Sequence, residues 1–356
     1  MRVVVCGAGV VGGSVAYFLA RRGVEVTVVE RTGIACAASG KSGGFLALDW
    51  CDDSPLGPLA RVSFALHAEL ARELRVDYGY RRMDTYMLTA RERGTPPGDH
   101  RVPPPRWLDG AGVVVAELGS TASTAQVDPA RFTAALIAAA QAAGGTLRLG
   151  VVDEVTARDG TATGVRVDGE EIDADAVVLA LGPWTSRFTR RLGLPRVRGL
   201  KGYSVTLTGA DVPAHALFVD YRTADGRHLE PEIFPRPDGT VYVCGMADAQ
   251  PLPESPDGVE VSDEASAVLA RAAGRVASTL ATATIDRRQA CYRPVTDDGL
   301  PLIGRIPGMA GGYVATGHGP WGMLNAPATG QALAELIVTG TASSVDLRPF
   351  DPARGR

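Results

Sequence analysis

Cysteine, histidine, aromatic side chains and any large excess of one charge are scarce in this 356-residue chain. The five cysteines (Cys6, Cys36, Cys51, Cys244, Cys291) are odd in number and scattered, with no C-x-x-C pair. That excludes a disulfide framework, and with no metal-type Cys/His spacing no metal is expected; a reducing cytoplasm is the expected location. A formal net charge of −4 leaves no basic surface for nucleic acid or an anionic membrane. No apolar stretch is long enough to cross a bilayer. The N-terminus lacks the charged segment and long apolar core of a signal peptide, because Gly7, Gly9 and Gly12 interrupt the run. Aromatics make up only 6% of residues, but hydrophobic residues reach 45%, enough for a sizeable core.

What is present is a dinucleotide-binding unit at the very start. Arg2 to Cys6 reads as a buried strand, Gly7-Ala8-Gly9-Val10-Val11-Gly12 as a tight turn opening a helix, and Val24 to Val29 as a second strand ending at Glu30. In such a unit Gly7 allows the turn, Gly9 lets a pyrophosphate approach the backbone, and Gly12 lets the helix pack on the sheet. The helix N-terminus presents free N–H groups and a positive dipole end to phosphate. A carboxylate at Glu30 suits a ribose and repels a 2′-phosphate, favouring FAD or NAD over NADP.

Further along, Ala35 to Leu48 is rich in Ala, Ser and Gly, suited to a backbone that approaches a ligand closely. A helix is expected from Arg61 to Tyr78, a strand from Tyr80 to Ala90, and a surface loop from Arg91 to Arg106. Asp128-Pro129 opens a helix that Gly144-Gly145 ends. Short strands are expected within Thr146 to Val155 and Gly164 to Ile172, and an apolar strand over Ala176 to Leu181. Antiparallel strands are expected over Lys201 to Thr208, Ala216 to Tyr221, Glu232 to Pro235 and Val241 to Gly245. A capped helix over Ser262 to Leu280, a buried strand over Gly312 to Ala315 and a closing helix over Ala328 to Val338 complete the pattern.

Four segments together make the chain resemble the D-amino-acid oxidase superfamily of FAD enzymes, near glycine oxidase and sarcosine oxidase. They are the N-terminal unit through Glu30; Ala37-Ala38-Ser39-Gly40-Lys41-Ser42-Gly43-Gly44; Val177 to Trp184; and a C-terminal set of Cys291-Tyr292-Arg293-Pro294, Asp298 to Gly304 and Gly317-His318-Gly319-Pro320-Trp321-Gly322. Within the superfamily the second and fourth segments are most similar to fungal and bacterial TDA-three-like oxidoreductases. The resemblance implies FAD as cofactor. Its contacts would come from the N-terminal turn with Glu30 and Arg31, the loop from Ala38 to Gly44, and Val155, Gly182 and Trp184. Cys291 and the closing turn from Gly317 through Trp321 and Gly322 to Met323 would complete them.

The same resemblance implies hydride transfer from a carbon next to an amine. Arg293 is the expected carboxylate anchor, since a guanidinium offers a planar bidentate fork. Cys291 stands where sarcosine oxidase carries its covalent flavin thioether; a free buried thiol is preferred here. His318 is expected beside the flavin, and Lys41 beside its reduced, anionic form. Val243 stands where sarcosine oxidase has a strand lysine that promotes reaction with oxygen. Tyr203, Tyr221, His228, Glu230 and Glu232 lie on strands expected to cover the substrate face, and Tyr203 joins the catalytic candidates. An acidic residue there would suit a second amine or a cationic substrate.

The expected architecture is mixed α/β: a Rossmann-like, glutathione-reductase-type FAD domain (1–50, 128–198 and 290–356) entwined with an antiparallel or mixed-sheet substrate domain (51–127 and 199–289). The leading expectation is an oxidase acting on an amino acid, N-methyl amino acid or cyclic amine, with O2 as acceptor. A dehydrogenase using another acceptor and a flavoprotein with an assembly or trafficking role are the alternatives. Without a second G-x-G-x-x-G unit, a nicotinamide enzyme is disfavoured. Oligomeric state leaves no mark in the sequence.

Overall fold

The structure, a computed structural model, describes residues 1–354. The first strand, Arg2–Cys6, is apolar at four consecutive positions because both of its faces are covered. Val3 and Val5 point into a core with the helices Val10–Ala20, Pro129–Ala142 and Gly322–Thr339. Val4 and Cys6 point into a second core under the three-stranded meander Val152–Arg158, Thr161–Val167 and Glu170–Asp173. The sheet around it has six strands in the order Leu302–Arg305, Gly312–Thr316, Ala176–Leu179, Arg2–Cys6, Glu25–Glu30, Thr146–Leu149. All neighbours are parallel except the first pair. This is the expected dinucleotide-binding layer, and the crevice at the carboxyl ends of its strands is where a ligand sits in such sheets.

The second large sheet has eight strands. From one edge they run Thr284–Thr296, Val197–Thr208, Val241–Asp248, Glu232–Pro235, His215–Arg222, Asp84–Arg91 and Val113–Gly119, with His228–Leu229 paired on His215–Arg222. One face is backed by the helix Asp263–Val276, against which Val205, Leu207, Ile233 and Val243 pack. The other face turns toward the crevice and carries Phe234, Tyr242 and Cys244.

Several elements depart from expectation for identifiable reasons. The edge strand Thr284–Thr296 contains Pro294, which lacks the N–H a central strand needs; at a sheet edge that N–H is dispensable. Residue 290, an expected domain limit, falls inside this strand; residues 355–356 of the same segment lie outside the described residues. His215–Arg222 pairs antiparallel on one side but parallel with Asp84–Arg91 on the other, because the chain between them passes through the six-stranded sheet. The helix expected over 262–280 stops at Val276, where Ala277 turns extended (φ −150°). The helix expected over 61–78 spans Gly57–Glu73.

The closing helix begins six residues earlier than expected, at Gly322, with Pro327 inside it. Proline cannot donate to the carbonyl four residues back. The neighbouring helix Gly57–Glu73 replaces the missing donor: His67 Nε2 lies 3.0 Å from Met323 O and 3.2 Å from Leu324 O. One turn earlier, Ser63 Oγ accepts from the Ala328 N–H at 3.1 Å. Burial holds the His67 imidazole neutral, its pKa pushed down to about 4, so Nε2 carries the donated proton.

Candidate active site

The N-terminal turn is built around space only glycine leaves. Gly7 has φ +110°, and a Cβ there would stand 2.5 Å from Ala180 O. A Cβ on Gly12 would stand 1.9 Å from Gly7 O, so the helix seats directly on the turn. Ser39 Oγ, 3.1 Å from a Cβ on Gly9, accepts the Val10 N–H at 2.9 Å. Glu30 is fixed by the same loop: Oε2 accepts from Ala8 N at 2.8 Å and Oε1 from Thr32 N at 2.9 Å. A carboxylate at a strand end, a glycine cradle and a helix N-terminus together suit an adenosine diphosphate.

The loop after Glu30 crosses to the eight-stranded sheet. Gly43 packs so closely that a Cβ would stand 2.3 Å from the Phe234 ring, and Gly44 (φ +75°) would meet Val127 O. Tyr242 OH donates to Lys41 O at 2.9 Å and the Arg236 guanidinium to Ser42 O at 2.8 Å. Lys41 Nζ itself donates to Ala290 O at 3.3 Å.

These loops and the sheet face enclose an open cleft whose empty volume, mouth included, is about 1670 Å³. Gly7, Gly9, Val10, Val11, Glu30 and Arg31 line one end of it. Ala38, Ser39, Lys41, Ser42 and Gly43 line its length. Gly182, Trp184, His318, Gly319, Gly322 and Met323 close another side. Ala8, Gly12, Gly40, Gly44, Gly317 and Trp321 are not among the residues that line the cleft. Val155 is buried in the core beneath the meander, facing away; Gly150, Val151 and Val152 take its place at the cleft.

Near the Glu30 end a strap of the chain is gripped by its carbonyls. Arg31 donates to Glu254 O at 2.8 Å, Arg187 to the same oxygen at 2.5 Å, and Trp184 Nε1 to Pro253 O at 2.9 Å. Tyr292 OH donates to Pro251 O at 2.7 Å.

The C-terminal turn is open where Gly319 (φ +56°) has nothing within reach of a Cβ. His318 is buried, its Nε2 3.0 Å from Thr329 Oγ1, and burial pushes its pKa down to about 4, so it is a neutral imidazole held by the closing helix. That helix directs its N-terminus, Gly322 and Met323, at the cleft.

The sheet wall carries the ionisable groups. Arg293 lies over Gly202, its guanidinium nitrogens 3.4 and 3.7 Å from where a Cβ of that residue would be. Among the described residues it makes no hydrogen bond and no ion pair. Glu232 is half-buried on this wall, and loss of water raises its carboxyl pKa while Arg293 lowers it. Burial likewise raises the Cys291 thiol, against the pull of Arg293 and Lys41.

Of the strand candidates, Glu232 faces the cleft, and Tyr203 reaches its wall but directs its hydroxyl to Asp248 Oδ2 at 3.2 Å. Tyr203 and Tyr221 are packed in the helix-backed core. His228 pairs with Asp220 at the surface, and Glu230 is exposed. Val243 points into the helix-backed core, and the cleft-facing residues of its strand are Tyr242 and Cys244. A one-residue difference in register exchanges the two faces of a strand. Tyr242, Cys244 and Ser204 are cleft residues the sequence did not single out; alternation from Glu232 through its partner Cys244 would have found them.

A parallel sheet with a glycine turn and a terminal carboxylate, closed by a second sheet bearing a free arginine, defines a dinucleotide-dependent oxidoreductase fold. The chain matches the DAO family, "FAD dependent oxidoreductase", over residues 2–336, and it belongs to that family. A Schizosaccharomyces pombe protein named as an oxidoreductase is 32% identical over 385 residues, covering 98% of this chain and 97% of its own. The oxidoreductase TDA3 of Saccharomyces cerevisiae is 36% identical over 187 residues, 51% of this chain and 35% of its own. Glycine oxidase of Geobacillus kaustophilus is 29% identical over 376 residues, 99% of this chain and 96% of its own. The crystal structure of that enzyme superposes with a TM-score of 0.82 at 26% identity, covering 100% of this chain and 99% of the other. No described helix is long and apolar enough to cross a membrane.

Proposed function

We propose that this oxidoreductase removes hydride from the carbon beside the nitrogen of an amino acid, N-methyl amino acid or cyclic amine, and that O2 takes the electrons. The observation that carries the reading is Arg293: a guanidinium on the cleft wall that no carboxylate among the described residues pairs with. A charge so placed costs desolvation unless a ligand anion completes it, and a substrate carboxylate fits its planar fork.

FAD fits the remainder of the cleft. Gly7, Gly9 and Gly12, with Glu30 and Ser39, would hold its adenosine diphosphate, and His318, Gly319 and the N-terminus of Gly322–Thr339 its ring end. When bound, it supplies the two-electron acceptor. The chain's own part is to orient: Arg293 fixes the substrate carboxylate, and the neutral His318 keeps positive charge away from the amine. The open helix N-terminus favours negative charge on the ring. Lys41, a second cation on the cleft, supports the oxidase reading. The dehydrogenase reading is favoured by one observation, that the cleft-facing residues of Val241–Asp248 include no lysine. Cys291, its thiol pushed up by burial, is assigned as a free thiol.

Anaerobic addition of glycine, sarcosine, proline and other amino acids to the FAD-loaded protein tests the reading. Bleaching of the flavin band by one of them, abolished in Arg293→Met, is expected. Peroxide formed on admitting air supports the oxidase; re-oxidation only by an added quinone or dye establishes the dehydrogenase. Flavin that no amine reduces would leave the assembly or trafficking role.

A further inference from the structure

The cleft wall carries two opposite charges that do not satisfy each other. Arg293 stands on the edge strand Thr284–Thr296 and Glu232 on Glu232–Pro235, with two strands between. Each leans inward: the guanidinium lies over Gly202, and Glu232 Oε2 reaches Cys244 Sγ at 3.4 Å. That thiol is the one hydrogen-bond partner of the Glu232 carboxylate among the described residues. Oε1 has none, and no ion pair involves either residue. A half-buried carboxylate held by a single weak thiol donor is under-satisfied by the chain, and so is the half-buried arginine opposite.

The register sets the distance between them. Gly202 and Ser204 are two residues apart, and Ser204 pairs with Cys244 on the next strand. One strand spacing across and two residues along put the two charged tips roughly 8 Å apart. Two charge-assisted hydrogen bonds of about 2.8 Å leave roughly 2.5 Å between them, about the separation of nitrogen and carboxylate in an α-amino acid.

We propose that Glu232 is the ammonium-binding residue of this site and the acceptor of the proton that the substrate nitrogen must lose. The inference rests on the reading of Arg293 as carboxylate anchor. An ammonium has no lone pair with which to release hydride, so one N–H bond must break first. The proton passes to Glu232 Oε1, forming an O–H bond; the nitrogen keeps the electron pair, and the carboxylate becomes a neutral acid. The groups facing Glu232 are Cys244 and Tyr242 on Val241–Asp248, Arg293 across the sheet and Glu230 beside it. Burial, the largest influence on its carboxyl, strengthens it as a base. In-register Phe218 with Phe45 and Trp50 forms an aromatic cluster next to it, which favours a cation and limits water.

The test uses two isosteres that cannot be oxidised because their α-carbon bears no hydrogen: 2-aminoisobutyrate, with an ammonium, and pivalate, with a methyl in its place. Binding to the FAD-loaded protein is read from the perturbed flavin spectrum. Wild type should bind 2-aminoisobutyrate at least about tenfold more tightly than pivalate, the low end for a hydrogen bond to a charged group. Glu232→Gln should erase that preference while holding pivalate as wild type does, and Glu232→Asp should keep part of it. Wild type that binds pivalate as well as 2-aminoisobutyrate overturns the proposal and leaves the anchor standing. So does a Glu232→Gln protein that keeps the full preference. Wild type that binds neither overturns the carboxylate anchor, and the proposal with it.

Discussion

Replacing His67 with phenylalanine should destabilise the protein through a helix that His67 does not belong to. His67 is fully buried, and its ring packs 4.9 Å from Phe132, so phenylalanine keeps most of the volume and the aromatic contact. What it loses is the donor to Met323 O, the carbonyl that Pro327 leaves without a partner. An unsatisfied buried acceptor costs about 1–3 kcal/mol. In a chain of this size that amounts to a fall in melting temperature of roughly 1–4 °C. Pro327→Ala restores an N–H four residues after Met323, so the acceptor no longer needs the imidazole. In the double variant the loss should therefore shrink, with a coupling of about 1 kcal/mol, one net hydrogen bond. Denaturant melts of wild type, both single variants and the double variant in saturating FAD measure that coupling. Additivity within about 0.5 kcal/mol would mean that His67 stabilises by packing alone, and the substitution of side chain for backbone donor would be wrong.

His67 and His318 are each pushed down to about 4 from an ordinary 6.5. Their neutral forms contribute stability that is complete above pH 6.5 and lost as pH falls toward 4, because the unfolded chain takes up both protons first. Stability measured against pH should thus fall with a slope of about two protons near pH 5, and a flat profile there would contradict the burial of either ring. Gly12→Ala would set a Cβ 1.9 Å from Gly7 O, a backbone atom that cannot yield, and should cost about 3 kcal/mol or more together with FAD binding; normal flavin content in that variant would refute the fit. Glu30→Ala should weaken FAD roughly tenfold, as expected for loss of a charge-assisted hydrogen bond, measured by flavin fluorescence on titration. Acid precipitation of the holoprotein should leave all yellow colour in the supernatant; colour in the pellet would make Cys291 a covalent link.

Local chemistry was readable where one residue type has one reason to be there. Gly7, Gly12 and Gly44 mark backbone approaches that any Cβ would block, and Glu30 closes a strand whose apolar run is plain. Asp128 caps its helix by accepting the Arg131 N–H at 2.9 Å, as Asp-Pro announces. Readability failed where a distant element supplies the missing partner. Pro327 looks like a helix start until His67 and Ser63, more than 250 residues away in sequence, complete its hydrogen bonds. Pro294 hides a 13-residue strand because only the sheet order shows that strand to be an edge. Val243 and Cys244 are equally apolar, so nothing local says which faces the cleft; the helix packed behind Val243 decides it. The pairing of Glu232 with Cys244 is a cross-strand fact and has no linear signature.

The strap near Glu30 is held by donors that all belong to other segments, Arg31, Arg187, Trp184 and Tyr292, which reach its main-chain carbonyls; one exposed side-chain contact, Glu254 Oε1 to Arg31 at 3.4 Å, adds to them. Every amino acid carries that carbonyl. The information that shapes this stretch is therefore written elsewhere in the chain. Its own letters at 253 and 254 can drift at the cost of one exposed ion pair, Glu254 with Arg31, while its path stays fixed, whereas a change at any of the four donors alters the path of a segment it is not part of.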